Sequence, residues 1–267
     1  INLPLPLLIP TYEFLWSYVN GIQVEKTKNG FMVKAYLFSS FPYKFLKRLN
    51  SFLHIIGKSY QTKYPPLVAN PVSPFFNNDF VIVPVPASYI PAFGIPILLQ
   101  REKAFGTGSH PCTIYCLQAL KDILKGEYGG GQMKQILDAG TGTGVLAIAA
   151  AKLGAKDITG VEINYESIKE AQENVRLNKV DIEIQILPCS VKEIKGKFNI
   201  ILANLYSTLL IEIAPSLAQQ LYPDGWLIIG GMTIPHDQVV ISTFTQNGLK
   251  EYARYRDEEW SVAILKK

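Results

Sequence analysis

Residues 137–144, Leu137-Asp138-Ala139-Gly140-Thr141-Gly142-Thr143-Gly144, decide how the rest of the chain is read. The apolar run QIL precedes Asp138, and the helical pattern VLAIAAAKLG follows Gly144. A glycine-rich turn between a strand and a helix presents backbone N–H groups and the helix dipole to polar or negative ligand groups. Glycines such as Gly140 and Gly142 let a ligand approach the backbone closely. The next apolar segment, ITGVEI, carries Glu162 about twenty residues on, the usual place for an acid that binds ribose hydroxyls. The spacing is G-x-G-x-G with Val145 next, not the G-x-G-x-x-G of a dinucleotide fingerprint, which favours S-adenosylmethionine over NAD. Asp138, at the strand end, could accept from the ligand's ammonium group or orient the loop.

Working outward, strand-like runs at QILD, ITGVEI, IEIQIL, FNIILA and WLIIG alternate with helical runs such as PCTIYCLQALKDILK and ESIKEAQENVRLNK. The tail EYARYRDEEWSVAILKK reads as two more strands around a charged turn, forming an antiparallel edge. Seven strands in this rhythm predict an α/β fold with a mostly parallel seven-stranded sheet covered on both faces, and the glycine motif, not the rhythm, indicates the Rossmann-like class I methyltransferase type of it. The FNIILA strand leads into Asn204, Leu205 and Tyr206. In open α/β sheets ligands bind beyond the carboxyl ends of the strands, so Asn204 is expected to face the crevice, where its amide can hold an amine or touch the ligand.

Upstream, IQVEKTKNGFMVKAYLF has the alternation of a hairpin around Lys28-Asn29-Gly30. A helical start is expected near Tyr12 to Val19. A further helix is expected from the spacing of Phe45, Leu46, Leu49, Phe52, Leu53 and Ile56. Residues 1–63 thus read as a small α+β N-terminal domain. The proline-rich residues 64–96 read as a connector with at best short edge strands such as Phe80 to Val83, and residues 97–267 as the nucleotide-binding domain.

The 267 residues are 48% hydrophobic and 18% charged, which supplies a buried core and excludes a disordered chain. The net charge of +4 falls short of a polybasic nucleic-acid signature. No apolar run approaches the roughly 18 residues of a membrane span, and INLPLPLLIP lacks the features of a signal peptide, so a cytoplasmic protein is expected. No initiator Met precedes Ile1, which leaves an earlier segment open. Cys112, Cys116 and Cys189 form no C-x-x-C pair and are expected to pack. His54, His110 and His236 have no metal-ligand spacing, so no metal is expected.

A second glycine-threonine cluster, AFGTGSHPCT at 104–113, lies before the first helix of the larger domain. Together with LDAGTGTGVLAIAAAKLGA, ITGVEIN, ILANLYSTLLIEIAPSL and EEWSVAILKK it resembles, in order and spacing over roughly residues 100–267, the methyltransferases of the large-subunit ribosomal protein L-eleven, the PrmA family. The family's F-G-T-G-T-H-P-T-T appears here with Ser109 and Cys112 in place of threonines, and Gln100-Arg101-Glu102-Lys103 stands where the family has an Asp-Pro-Gly stretch. The resemblance implies that the FGTG loop lies over the methyl donor with Phe105 and Thr107 as contacts. It also implies that Thr113, Gly140, Glu162 and Asn204 touch the donor, so both clusters serve one site. The implied reaction is methyl transfer from S-adenosylmethionine to lysine or N-terminal amino groups of a large-subunit ribosomal protein, with Asn204 orienting and Tyr206 a weaker candidate. No membrane partner and no direct nucleic acid is required.

The alternatives are methylation of another protein, such as a flavoprotein subunit, or of RNA. An NAD-binding oxidoreductase and a donor-binding module without turnover complete the set.

Overall fold

A computed structural model describes residues 2–4, 7, 11, 19–28, 30–37, 52, 75–77, 80–85, 94–100, 108, 110–126 and 135–267. The chain divides into two compact units, Ile1–Pro96 and Ile97–Lys267.

In the first unit, β1 (Asn2–Leu3), β2 (Val19–Thr27) and β3 (Gly30–Leu37) form an antiparallel sheet in the order β1-β3-β2. The hairpin closes at Thr27 opposite Gly30, as the alternation of apolar residues around Lys28-Asn29-Gly30 led one to expect. Val24 and Val33 face each other across it and are buried. Val19 begins β2 instead of ending a helix; the rest of that helical start, and the helix expected over Phe45 to Ile56 apart from Phe52, lie outside the described residues.

The proline-rich stretch holds β4 (Phe75–Asn77) and β5 (Phe80–Pro84), which pair antiparallel. All of β5 is buried, so it is no solvent-facing edge. Its proline is the last residue, where a missing amide costs least. Strand β6 (Ile95–Leu99) straddles the boundary between the units.

The second unit is a seven-stranded sheet with helices between its strands. Its strands are β7 (Gln135–Ala139), β8 (Asp157–Val161), β9 (Ile184–Leu187), β10 (Phe198–Asn204), β11 (Leu221–Thr233), β12 (Lys250–Arg256) and β13 (Trp260–Lys266). Its helices are α1 (Pro111–Leu124), α2 (Val145–Lys152), α3 (Tyr165–Leu177), α4 (Ser207–Gln220) and α5 (Ile234–Gln246). The order is β12-β13-β11-β10-β7-β8-β9. Pairings from β9 to β11 are parallel, and β13 runs antiparallel to both neighbours. The tail therefore supplies an inserted antiparallel strand and a parallel outer one.

The central strands read as continuous apolar runs because both faces are covered: Ile200 to Ala203 and Leu227 to Ile229 are fully buried. One apolar cluster joins Leu137, Ile201, Leu210, Leu217, Ile229, Phe244 and Leu265, tying β7, β10, α4, β11, α5 and β13 together. With strand β7 central and α1 to α3 packed around its end, everything bearing on the glycine motif converges at the carboxyl edge of the sheet.

Candidate active site

The glycine motif leaves β7 at Ala139. Gly140, Gly142 and Gly144 all take the left-handed backbone conformation, at φ of 72°, 54° and 82°, and Gly144 caps α2. Side chains with a Cβ resist that region, which accounts for the alternating pattern. The Gly140 and Thr141 amides both donate to Val161 O, at 2.9 and 3.0 Å, fastening the loop to the end of β8.

Asp138 is 1% exposed. Its Oδ2 accepts from Thr141 Oγ1 at 2.6 Å and from the Ala147 amide at 3.2 Å, so it shapes the loop and the first turn of α2. Of the two roles open to it in the sequence, the geometry favours orienting the loop over meeting a ligand. Burial lifts its pKa to about 6, with the Thr141 and Ala147 hydrogen bonds opposing and Glu162 adding a smaller rise.

Glu162 follows β8. Its Oε2 accepts from the Gly142 amide at 3.2 Å, and its Oε1 from the amides of Ile163 and Asn164 at 2.9 and 3.0 Å. The carboxylate is thereby fixed beside the glycine loop while half-exposed, with lone pairs left for hydroxyl donors.

Asn204 ends β10, two strands from Glu162. Its Nδ2 reaches Thr113 Oγ1, 3.4 Å away in the first turn of α1. Its Oδ1 is buried and has no hydrogen-bond partner among the described residues. An acceptor buried without a partner is costly and calls for a donor beyond the described residues. Thr113 is itself fully buried. Tyr206, two residues on, is 73% exposed and so is not packed into the core.

Close contacts hold Asn204 there. The Leu205 amide donates to Gly230 O at 3.1 Å. A Cβ on Gly230 would come within 2.9 Å of Asn204 Oδ1 and 2.8 Å of Cys116 Sγ, and one on Gly231 (φ 80°) within 2.4 Å of Leu205 O. Leu205 Cδ2 would be 2.5 Å from a Cβ on Gly140, so that glycine makes room for a neighbouring side chain as well as for the turn.

Of the AFGTGSHPCT stretch, Phe105 and Thr107 lie outside the described residues. Gly108 (φ 78°) is buried, and His110 caps α1 through Nδ1, which accepts from the Cys112 amide at 3.2 Å. Its ring meets Trp260 edge-on at 4.5 Å. Burial lowers the His110 pKa against the opposing pull of Glu259 and Asp257, which favours the neutral ring that can accept. Capping by this histidine was not anticipated from sequence, although Ser/Thr/Asp/Asn are the usual caps. Cys112 and Cys116 are buried and free, as packing residues should be, and burial pushes the Cys112 thiol up to about 12. No group of three or more metal-ligating side chains occurs among the described residues.

The ribosomal protein L11 methyltransferase (PrmA) family model matches residues 69–267. The chain belongs to this family. It is 33% identical over 252 residues to the ribosomal protein L11 methyltransferase of Geotalea uraniireducens, covering 86% of this chain and 80% of that one. To the protein of that name from Citrifermentans bemidjiense it is 36% identical over 188 residues, covering 70% and 61%. A crystal structure of ribosomal protein L11 methylase from Lactobacillus delbrueckii subsp. bulgaricus, 29% identical, superposes with a TM-score of 0.63 over 70% of this chain and 94% of that one. The match begins upstream of the region that carried the resemblance and takes in β4, β5 and β6. Membership sets aside the oxidoreductase alternative and makes S-adenosylmethionine the cofactor. The residues present fit it: an unpaired buried acceptor on Asn204, a half-exposed carboxylate on Glu162 and a glycine loop between them.

Proposed function

We propose that this chain is an S-adenosylmethionine-dependent protein methyltransferase that modifies lysine or N-terminal amino groups of a large-subunit ribosomal protein of the L11 type. The reading rests on family membership and, within the site, on the buried, unpartnered Oδ1 of Asn204. Bound S-adenosylmethionine supplies a sulfonium methyl group as the electrophile. Transfer to a neutral amine would leave the donor's sulfur as a thioether and release one proton to solvent, with Glu162, Asn204 and the Gly140–Gly144 loop as the residues that would hold the donor.

For this displacement the chain must align a neutral amine and keep water away, and no strong acid is called for. Asn204 Oδ1 accepts an N–H of the incoming amine and points its lone pair, while Thr113 steadies the Asn204 amide from behind. Glu162 and the Gly140–Gly144 loop hold the nucleoside end of the donor, and Asp138 holds the loop. Phe105 and Thr107 complete the donor contacts in this proposal. Burial favours the uncharged amine that attacks. Residues 1–63 serve to recognise the protein substrate, with 64–96 leading into the catalytic domain at 97–267. The enzyme works in the cytoplasm and needs no nucleic acid for binding; no described helix is long and apolar enough to cross a membrane.

Incubation with methyl-labelled donor and separate samples of large-subunit ribosomal protein L11, total RNA and a flavoprotein subunit tests this. Label is expected on the ribosomal protein alone. Label on RNA or the flavoprotein instead would overturn the substrate, and binding without label on any acceptor would favour a module without turnover.

A further inference from the structure

Asn174 on α3 and Asn178, the residue that caps its C-terminal end, make a ladder that sequence periodicity does not show. Asn178 Oδ1 accepts from the Leu98 amide at 2.9 Å and its Nδ2 donates to Leu98 O at 2.7 Å. One turn earlier, Asn174 Oδ1 accepts from the Gln100 amide at 2.6 Å and its Nδ2 faces Gln100 O at 3.4 Å. The spacings match: four helical residues advance about 6 Å and two extended residues about 6.6 Å. Two carboxamides thus pair with the backbone of residues 98 and 100 in the manner of a neighbouring strand.

The two rungs differ in one respect. Asn174 Nδ2 also donates to Thr143 O at 2.9 Å, in the glycine motif immediately before the left-handed Gly144. Asn178 instead returns its second donor to Asn174 O, at 2.8 Å within its own helix. Asn174 is fully buried and Asn178 nearly so, so neither can exchange these partners for water. One side chain therefore bonds both the glycine motif and Gln100, four residues before the AFGTGSHPCT segment in sequence.

We infer that Asn174 is a positioning residue for methyl-donor binding, setting the Thr143 carbonyl and hence the glycine loop, whereas Asn178 serves stability alone. The inference rests on the reading that this loop binds S-adenosylmethionine. Asn174→Leu removes the Nδ2 bond to Thr143 O and both side-chain bonds to the Gln100 backbone.

The experiment measures S-adenosylmethionine affinity by calorimetry and thermal stability for the wild type, Asn174→Leu and Asn178→Leu. Both variants are expected to melt lower. The dissociation constant is expected to rise about tenfold in Asn174→Leu and to stay within about twofold in Asn178→Leu. Equal affinities in the two folded variants would overturn the inference. Should Asn174→Leu not fold, Asn174→Asp keeps the acceptor for the Gln100 amide but turns an acceptor toward Thr143 O, and the same loss of affinity is expected. Hydrogen exchange on the wild type is independent of any variant. Donor binding should slow exchange of the Gln100 amide more than that of Leu98, and equal effects on both would overturn the inference. A wild type that binds no donor at all would instead remove the reading of the loop itself.

Discussion

Asn204 Nδ2 donates to Thr113 Oγ1 across 3.4 Å, joining the end of β10 to the first turn of α1. The bond leaves the Asn204 Oδ1 buried and open. Asn204→Ala should lower turnover about 10- to 100-fold, the range of one or two buried hydrogen bonds. Thr113→Val should cost less, with Thr113→Ser restoring the wild-type value. Steady-state kinetics with labelled donor measures both, and an Asn204→Ala enzyme of undiminished kcat would remove the residue from the site.

Glu162 is expected to act on affinity. Its carboxylate collects three backbone amides, and charge-assisted bonds are worth roughly 1.5–3 kcal/mol each. Glu162→Gln should therefore weaken donor binding by about tenfold or more. Calorimetry that returned the wild-type dissociation constant would show the acid to be a brace for Gly142 and nothing else.

At Gly140 the cost should be divisible. Gly140→Ala faces left-handed backbone strain of about 1–2 kcal/mol and a collision with Leu205 Cδ2 at 2.5 Å. Leu205→Ala removes the second part only. A double-mutant cycle by denaturant unfolding should show a favourable coupling of about 1 kcal/mol or more. Strict additivity would mean that Leu205 moves aside freely.

Asp138 gives a pH signature. Its carboxyl titrates near 3.8 when unfolded and at about 6 when folded, raised chiefly by burial. Native protein thus holds a proton that the unfolded chain has released. The stability this contributes is complete below 3.8 and is lost as the pH climbs to about 6. Asp138→Asn has nothing to titrate there, so the melting temperature of the wild type relative to the variant should rise as the solution is acidified through that window. Parallel melting curves for the two proteins in acid and at neutrality would count against a buried, titrating carboxyl.

The parts of this site that were legible in the sequence are those made by neighbours along the chain. Alternating glycines, an acid about twenty residues downstream and unbroken apolar strands each have a local cause, namely backbone conformation, register or two-sided burial. Asp138 was legible as important but open in role, because only the fold brings Thr141 Oγ1 and the Ala147 amide to the same oxygen. Asn174 and Asn178 were invisible: they sit in a polar helical pattern, and their partners are 74 and 80 residues away. The strand at Phe75 was obscured by the surrounding prolines, and Phe80 to Val83 was legible as a strand but not as a fully buried one; the single proline of β5 falls at its last position.

The place of β13 bears on how the molecule is made. It lies between β11 and β12 although it is synthesised after both. Until residues 260–266 have left the ribosome, β12 has no partner in the sheet and His110 has no Trp260 to lean on. The sheet is therefore completed late in translation, and a nascent chain stalled before Trp260 should carry the glycine loop but lack β13 between β11 and β12.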